Sequence, residues 1–333
     1  MACEPDKTRR NLVKVMLAAG TGALAGCSGP SIPANLYRWG SSSLGSSGYV
    51  IIEAFSQLVN RHTNIRNASL ATAGTSENMF LIGEGKLDLG HSTSVDWMPA
   101  LAGRKPYTRP VRAMQLFAYA VWHQLPIVRA DSGILELSDL AGRRFSPSQP
   151  GSGTAAMYKV LLQSAELYDR IRLRYGSWSE VYTAFRAGQI DSVVGMLTNG
   201  MRSSWVQQLE ATIPIRALRI PAAVLLKARA VNPGILDGQL DGRDWSAIDR
   251  TMRVPAIAGI VACGTRVSAE IGYAVTAAIL DRAAELKRSA RALNVLDVEF
   301  AVRNLMISAP VNAGAAQYFI EKGVWRNELT IAA

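Results

Sequence analysis

The stretch PSQPGSGTAAMYKVLLQSAEL, residues 147–167, places Gly151, Ser152, Gly153 and Thr154 directly ahead of residues with helical spacing. Glycines let the backbone approach a bound group, a helix start offers unpaired N–H groups and a positive dipole end, and Ser152 and Thr154 add hydroxyl donors. Such a loop can hold a carboxylate without a full countercharge. GSSSLGSSG (40–48) and GTSEN (74–78) have the same ingredients. In any one loop Ser, Thr and Gly are ordinary turn and N-cap residues. Three such loops, each at a helix start, point to a shared site for a small anion.

Other chemistries fit less well. A phosphate P-loop needs Lys and a hydroxyl residue after its last Gly, and Thr154 is followed by Ala155. Gly151, Gly153 and Ala156 match the permissive dinucleotide pattern, but RRFSPSQP before them lacks the apolar run of a buried first strand. No Gly-x-Ser-x-Gly elbow occurs, and His62, His91 and His123 have no metal-site spacing to one another or to Cys. His91 in LGHSTS could reach a cleft from a strand end, but one His without a partner makes no catalytic set, so it reads as a polar loop residue. Asp88 and Asp191 each follow a helix stop and read as turn or capping groups. A non-enzyme with neither cofactor nor metal is expected.

The first 26 residues read as an export signal: a basic end with Arg9, Arg10 and Lys14, an uncharged run from Val15 to Ala25, and small residues at the cut. That run is too short to cross a bilayer, which takes about 20 residues. Leu24-Ala25-Gly26-Cys27 resembles the bacterial lipobox, in which Cys27 is lipidated, and TRRNLVK resembles a twin-arginine motif. An ordinary secretory signal with an incidental Cys27 is the alternative. Periplasmic location with a lipid anchor on Cys27 is the expectation. Cys3 leaves with the leader, so Cys263 remains as a small buried side chain in AIAGIVACG and no intrachain disulfide can form. The formal charge is +10, and losing a leader with four basic and two acidic side chains leaves +8. The basic residues are scattered with no run beyond two, which argues against nucleic acid.

A strand, small-residue loop and helix recur. LYRW (36–39) reads as a strand and YVIIEAFSQLVNRH (49–62) as a helix whose Ile51, Phe55, Leu58 and Val59 share one face. A short helix follows from about Ser76, stopped by Gly83 and Gly85, then a strand LDLG. WSEVYTAFRAGQIDSVVGM (178–196) repeats this plan, with Gly188-Gln189-Ile190-Asp191 equivalent to Gly85-Lys86-Leu87-Asp88. The fold class is therefore α/β: two lobes of similar plan, each with helices on a mostly parallel sheet. Residues 116–130 and 253–265 are apolar enough to be crossing strands. The expected division is a leader (1–26), a tether (27–35), lobe 1 (36–120 plus 259–333) and lobe 2 (121–258), hinged around a cleft.

WGSSSLGSSGY, AGTSENMFLIGEGKLDLGHS, IVRADSGILELSDLAGRRFSPSQPGSGT, FRAGQIDSVVG and APVNAGAAQYFIEKG together resemble, in order, a solute-binding protein of the TRAP-associated extracytoplasmic immunogenic (TAXI) family. The resemblance spans almost the whole chain after the leader. It implies a type II periplasmic-binding-protein fold and a small carboxylate ligand such as glutamate or glutamine. It also implies a partner permease of the tripartite ATP-independent periplasmic (TRAP) type. Two departures stand out: the first loop is Ser-rich with Tyr49 alone, and Asn312-Ala313-Gly314-Ala315 replaces a His-Pro-Gly-Ala motif.

The expected ligand contacts are Ser43, Ser46, Ser47 and Tyr49 on the first-lobe wall, with Glu77 and Asn78 beside them and Ser94 after the LDLG strand. Ser152, Gly153 and Thr154 hold the carboxylate from the second lobe, and Asn199 completes that wall. Glu77 has two readings, a partner for a ligand ammonium or a first-turn acid favouring the helix dipole. A monomer is expected. The rival functions are a binding protein of an ATP-driven transporter or of a sensor kinase, and an exported cofactor-containing enzyme.

Overall fold

The computed structural model describes residues 36–333; the leader, the tether and Cys27 lie outside the described residues. Eleven strands form one sheet: β1 (Leu36–Gly40), β2 (Arg66–Leu70), β3 (Leu89–Thr93), β4 (Ala113–Arg129), β5 (Arg144–Ser146), β6 (Arg172–Leu173), β7 (Ser192–Thr198), β8 (Met201–Arg202), β9 (Ile215–Ala217), β10 (Leu236–Leu240) and β11 (Met252–Gly264). The main order is β2-β1-β3-β11-β4-β7-β5-β6, with β8, β9 and β10 paired at the side.

The parallel pairs are β1 with β2 and β3 at one end, and β5 with β6 and β7 at the other. Everything between is antiparallel, which corrects the expected mostly parallel sheet. The reason is the double crossing. The chain runs out along the 17-residue β4 and comes back along the 13-residue β11, so these two strands pair in opposite directions and make the spine. β11 pairs β3 through Gly259–Cys263, and β4 pairs β7 through Trp122–Val128. The β4–β11 register slips between Gly259 and Ile260, skipping Tyr119 opposite, where β4 passes from one end of the sheet to the other. A bulge there bends and twists the spine. Gly259 is required beside it, because a Cβ would lie 2.4 Å from the Trp122 ring.

The two ends are built alike. Arg38, on β1, donates from its backbone N to Asp88 Oδ2 at 2.8 Å, from Nε to the same oxygen at 3.0 Å, and from Nη2 to Gly85 O at 2.7 Å. Arg144, on β5, makes the same three bonds to Asp191 Oδ2 (2.7 and 2.9 Å) and Gly188 O (2.9 Å). The two steps from helix into strand, read as equivalent in the sequence, thus share one staple. Asp88 and Asp191 are its structural acids.

Helices cover the sheet. α1 (Ser47–His62) buries Ile51, Phe55, Leu58 and Val59, the face anticipated from its spacing. Each such side chain contributes roughly 1.5–3 kcal/mol on burial. Phe55 meets Phe117 and Tyr119 edge-on at 5.7 and 5.4 Å between ring centres. α2 (Thr75–Gly83), α3 (Ser94–Leu101), α4 (Gly153–Ser164) and α5 (Trp178–Arg186) follow β2, β3, β5 and β6. The helix Ala269–Leu280 packs on α1 and on the helix Ala313–Glu321. Asn312 caps the latter: its Oδ1 accepts from Gly314 N and Ala315 N, and its Nδ2 donates to Val267 O. The departure at this position is therefore structural. Cys263 is buried, and burial pushes its thiol pKa well up. No helix among the described residues is long and apolar enough to cross a membrane.

Candidate functional site

The starts of α1, α2, α4 and α5, and the N-cap of α3, surround a cavity of about 50 Å³. Ser46, Ser47 and Gly48 come from α1, Gly74 and Thr75 from α2, Thr93 from the N-cap of α3, Ser152 to Thr154 from α4, and Trp178 from α5. Each forms because a small or hydroxyl residue ends the preceding loop. Ser46 Oγ accepts from Tyr49 N at 3.2 Å, and Ser152 Oγ from Ala155 N at 3.1 Å. Those caps satisfy one N–H each and leave the rest of the first turn available.

The loops ahead of α2 and α4 touch across the cavity. Ser76 N donates to Gly151 O at 3.1 Å, and Gln149 Nε2 donates to Ala73 O. Gly153 sits so close to Thr93 that a Cβ would lie 2.2 Å from its Oγ1. Both ends of the sheet thus contribute to one cavity. Ser46, Ser47, Trp178 and Met196 also border a wider recess of about 410 Å³ beside it.

The floor comes from the central strands. His91 lies on β3, not in a loop as anticipated, and is buried with Nδ1 hydrogen-bonded to the Tyr119 hydroxyl. Burial holds its pKa down at about 3, so the ring is neutral at physiological pH. Trp122 and Gln124, two residues apart on β4, share a face. Gln124 is only 1% exposed, yet neither its Nε2 nor its Oε1 has a partner, and the indole N–H of Trp122 also lacks one. Buried polar atoms are almost always paired, so unpaired ones lining a cavity mark where a bound group belongs. Met196 and Ile257 add apolar wall, and among the described residues no Asp, Glu, Lys or Arg lines the space.

Of the sequence-derived contacts, Ser46, Ser47, Ser152, Gly153 and Thr154 come together here. Ser43 and Tyr49 lie in the same loop and helix but not on the wall; Ser43 O accepts from Ser46 N and so shapes the turn. Four others are not on this wall and make hydrogen bonds inside the protein. Glu77 folds back to accept from Ala73 N, the first-turn role. Asn78 is fully buried and its Nδ2 reaches the carbonyls of Gly40, Ser41 and His91, pinning α2 to β1 and β3. Ser94 Oγ donates to Gly234 O and accepts from Ala258 N. Asn199 accepts from Val121 N at 2.8 Å and donates to Ala292 O at 2.6 Å.

Thr93, Trp122, Gln124, Trp178 and Met196 were not anticipated at the cavity; His91 was weighed as reaching a cleft but read as a polar loop residue, and Thr75 lies in the GTSEN loop without having been named. The signal for Gln124 was present: one amide among the apolar residues of LFAYAVWHQLPIV, in phase with a tryptophan. Asp96 lies behind Thr93, buried, and its oxygens accept from Ser76 Oγ, Thr93 Oγ1 and Thr93 N. Burial raises its pKa against those bonds. Among the described residues no group of His, Cys, Asp and Glu could hold a metal ion.

The described residues form a mixed α/β fold, one eleven-stranded sheet with helices on it and the cavity where helix starts from both ends of the sheet meet. Residues 40–323 match the NMT1-like family, and the chain belongs to it. No curated protein matches the chain. Among solved structures it is similar to a protein from Bordetella bronchiseptica RB50 (13% identity, TM-score 0.51, covering 89% of this chain and 91% of that one). It is also similar to the alkanesulfonate-binding protein of Xanthomonas axonopodis pv. citri bound to MOPS (15%, 0.47, 89% and 96%). A third is a binding-protein component of an ABC phosphonate transporter from Pseudomonas aeruginosa (15%, 0.48, 78% and 78%).

Proposed function

We propose that the protein is an extracytoplasmic solute-binding subunit. It captures a small carboxylate between its lobes and presents the closed form to a membrane permease of the TRAP type, while lipid on Cys27 tethers it to the membrane. The observation that carries this reading is the convergence of helix starts from both ends of the sheet on one uncharged cavity. Their N–H groups and dipole ends favour an anion there, and no acidic or basic side chain is present to do other chemistry. An anion bridging both lobes binds the closed state better than the open one and shifts the population toward it. The TRAP assignment rests on the five segments that resemble the TAXI family.

Thermal-shift measurement with carboxylates, sulfonates, phosphonates and matched amines tests the reading. Carboxylates should raise the melting temperature and amines should not, and small-angle scattering with the strongest carboxylate should show compaction. Stabilisation by amines, or unchanged scattering at saturation, would overturn it.

A further inference from the structure

We propose that the bound solute is a short hydroxycarboxylate without an ammonium group, and that Gln124 is the residue that selects its hydroxyl. The inference rests on the carboxylate-binding reading of the cavity. Four observations lead to it.

The first is charge. An amino acid brings an ammonium as well as a carboxylate, and a buried ammonium needs an acid beside it. None lines the cavity; Asp96 is engaged by Ser76 and Thr93, and Glu77 is turned to Ala73 N. A glutamate-like or glutamine-like solute is therefore poorly matched.

The second is the pair of unpaired atoms on Gln124. Its Nε2 asks for an acceptor and its Oε1 for a donor. A hydroxyl is the smallest group that supplies both, whereas a ketone or a methylene supplies at most one. The third is division of labour. The backbone N–H groups of the helix starts and the indole N–H of Trp122 are donors, which suits a carboxylate, while the Gln124 amide offers both a donor and an acceptor to the second polar group. The fourth is size. The narrow part of the cavity, about 50 Å³, takes a few water-sized groups and adjoins the wider recess. That is the scale of a two- or three-carbon acid, whose carbon end Met196 and Ile257 can cover.

The test is calorimetric titration with four probes: glycolate, lactate, propionate and alanine. The last three are close in shape and differ in one substituent: hydroxyl, hydrogen or ammonium. Lactate or glycolate should bind at least tenfold more tightly than propionate and alanine. In Gln124→Leu, lactate should fall to the level of propionate while propionate itself is unchanged. The apo protein of that variant should melt no lower, since an unpaired buried amide has been removed; Gln124→Met serves should the leucine not fold. Alanine binding as tightly as lactate, or a hydroxyl preference surviving in Gln124→Leu, overturns the inference and leaves the carboxylate reading standing. Failure of all four probes overturns both.

Discussion

Gly153→Ala is the most informative perturbation of the cleft. The added methyl would lie 2.2 Å from Thr93 Oγ1 and 3.0 Å from Thr75 Oγ1, at the starts of α3 and α2. The loop must back away by about 1 Å to restore van der Waals contact. Overpacking of this kind costs about 1–3 kcal/mol. Gly153 is the first residue of α4 and has no positive φ, so alanine fits the helix itself. The cost therefore falls on closure and not on folding. Amide exchange at Ser76 reads it directly without a ligand. That N–H lies in the first turn of α2, where no intrahelical acceptor exists, and it donates across the cleft to Gly151 O. Exchange at Ser76 should accelerate roughly 5- to 150-fold, the population change corresponding to 1–3 kcal/mol. Core amides of β4 and β11 should exchange as in the parent. Unchanged protection of Ser76 in Gly153→Ala would refute the wedge, and with it the proposed closure of the cleft at these two loops.

Three further outcomes follow from the structure. His91 is buried neutral at a pKa of about 3, against an unfolded value of 6.5, so the unfolded chain binds the proton first and stability is lost as pH falls below 6.5. Between pH 8 and pH 5 this amounts to about 2 kcal/mol in urea melts, a loss absent from His91→Gln; equal pH slopes for the two proteins would contradict it. Asp88 is buried and bonded to both Arg38 and Arg266, whereas Asp191 is partly exposed with Arg144, so Asp88→Ala should cost about 3–5 kcal/mol and Asp191→Ala about 1.5–3 kcal/mol. The reverse order would mean that the two staples do not carry the load their burial suggests. Cys263 should resist a thiol reagent in the native protein and react only on unfolding, followed by absorbance.

Much of the fold was legible because it rests on local pattern. The α1 face, the stop at Gly85 and the equivalence of the Asp88 and Asp191 steps all follow from spacing within about twenty residues. The helix-start serines and glycines were legible for the same reason, and Ser46, Ser47, Ser152, Gly153 and Thr154 do meet at one cavity. Strand direction was not legible. Nothing inside 116–130 or 253–265 shows that these segments pair with each other, and that pairing alone makes the spine antiparallel. The same limit explains Asn78, Ser94 and Asn199. A polar residue near a helix start looks identical in sequence whether its partner is a ligand or a carbonyl: Ser94 is spent on Gly234, 140 positions away. Gln124 was overlooked for the opposite reason, since an apolar strand directs attention to its bulk and not to the one amide that lacks a partner.

Under the proposed function, the lack of charged side chains on the cavity wall also bears on how a solute leaves. A solute clasped by a guanidinium would need that ion pair broken or a proton supplied before unloading. In that function the grip is a sum of dipoles from separate helices, α4 and α5 following β5 and β6 at one end of the sheet and α1, α2 and α3 following β1, β2 and β3 at the other. Drawing the halves apart withdraws part of the donor set in a single motion. Under the proposed function, discharge needs no chemical trigger, only separation of the two halves.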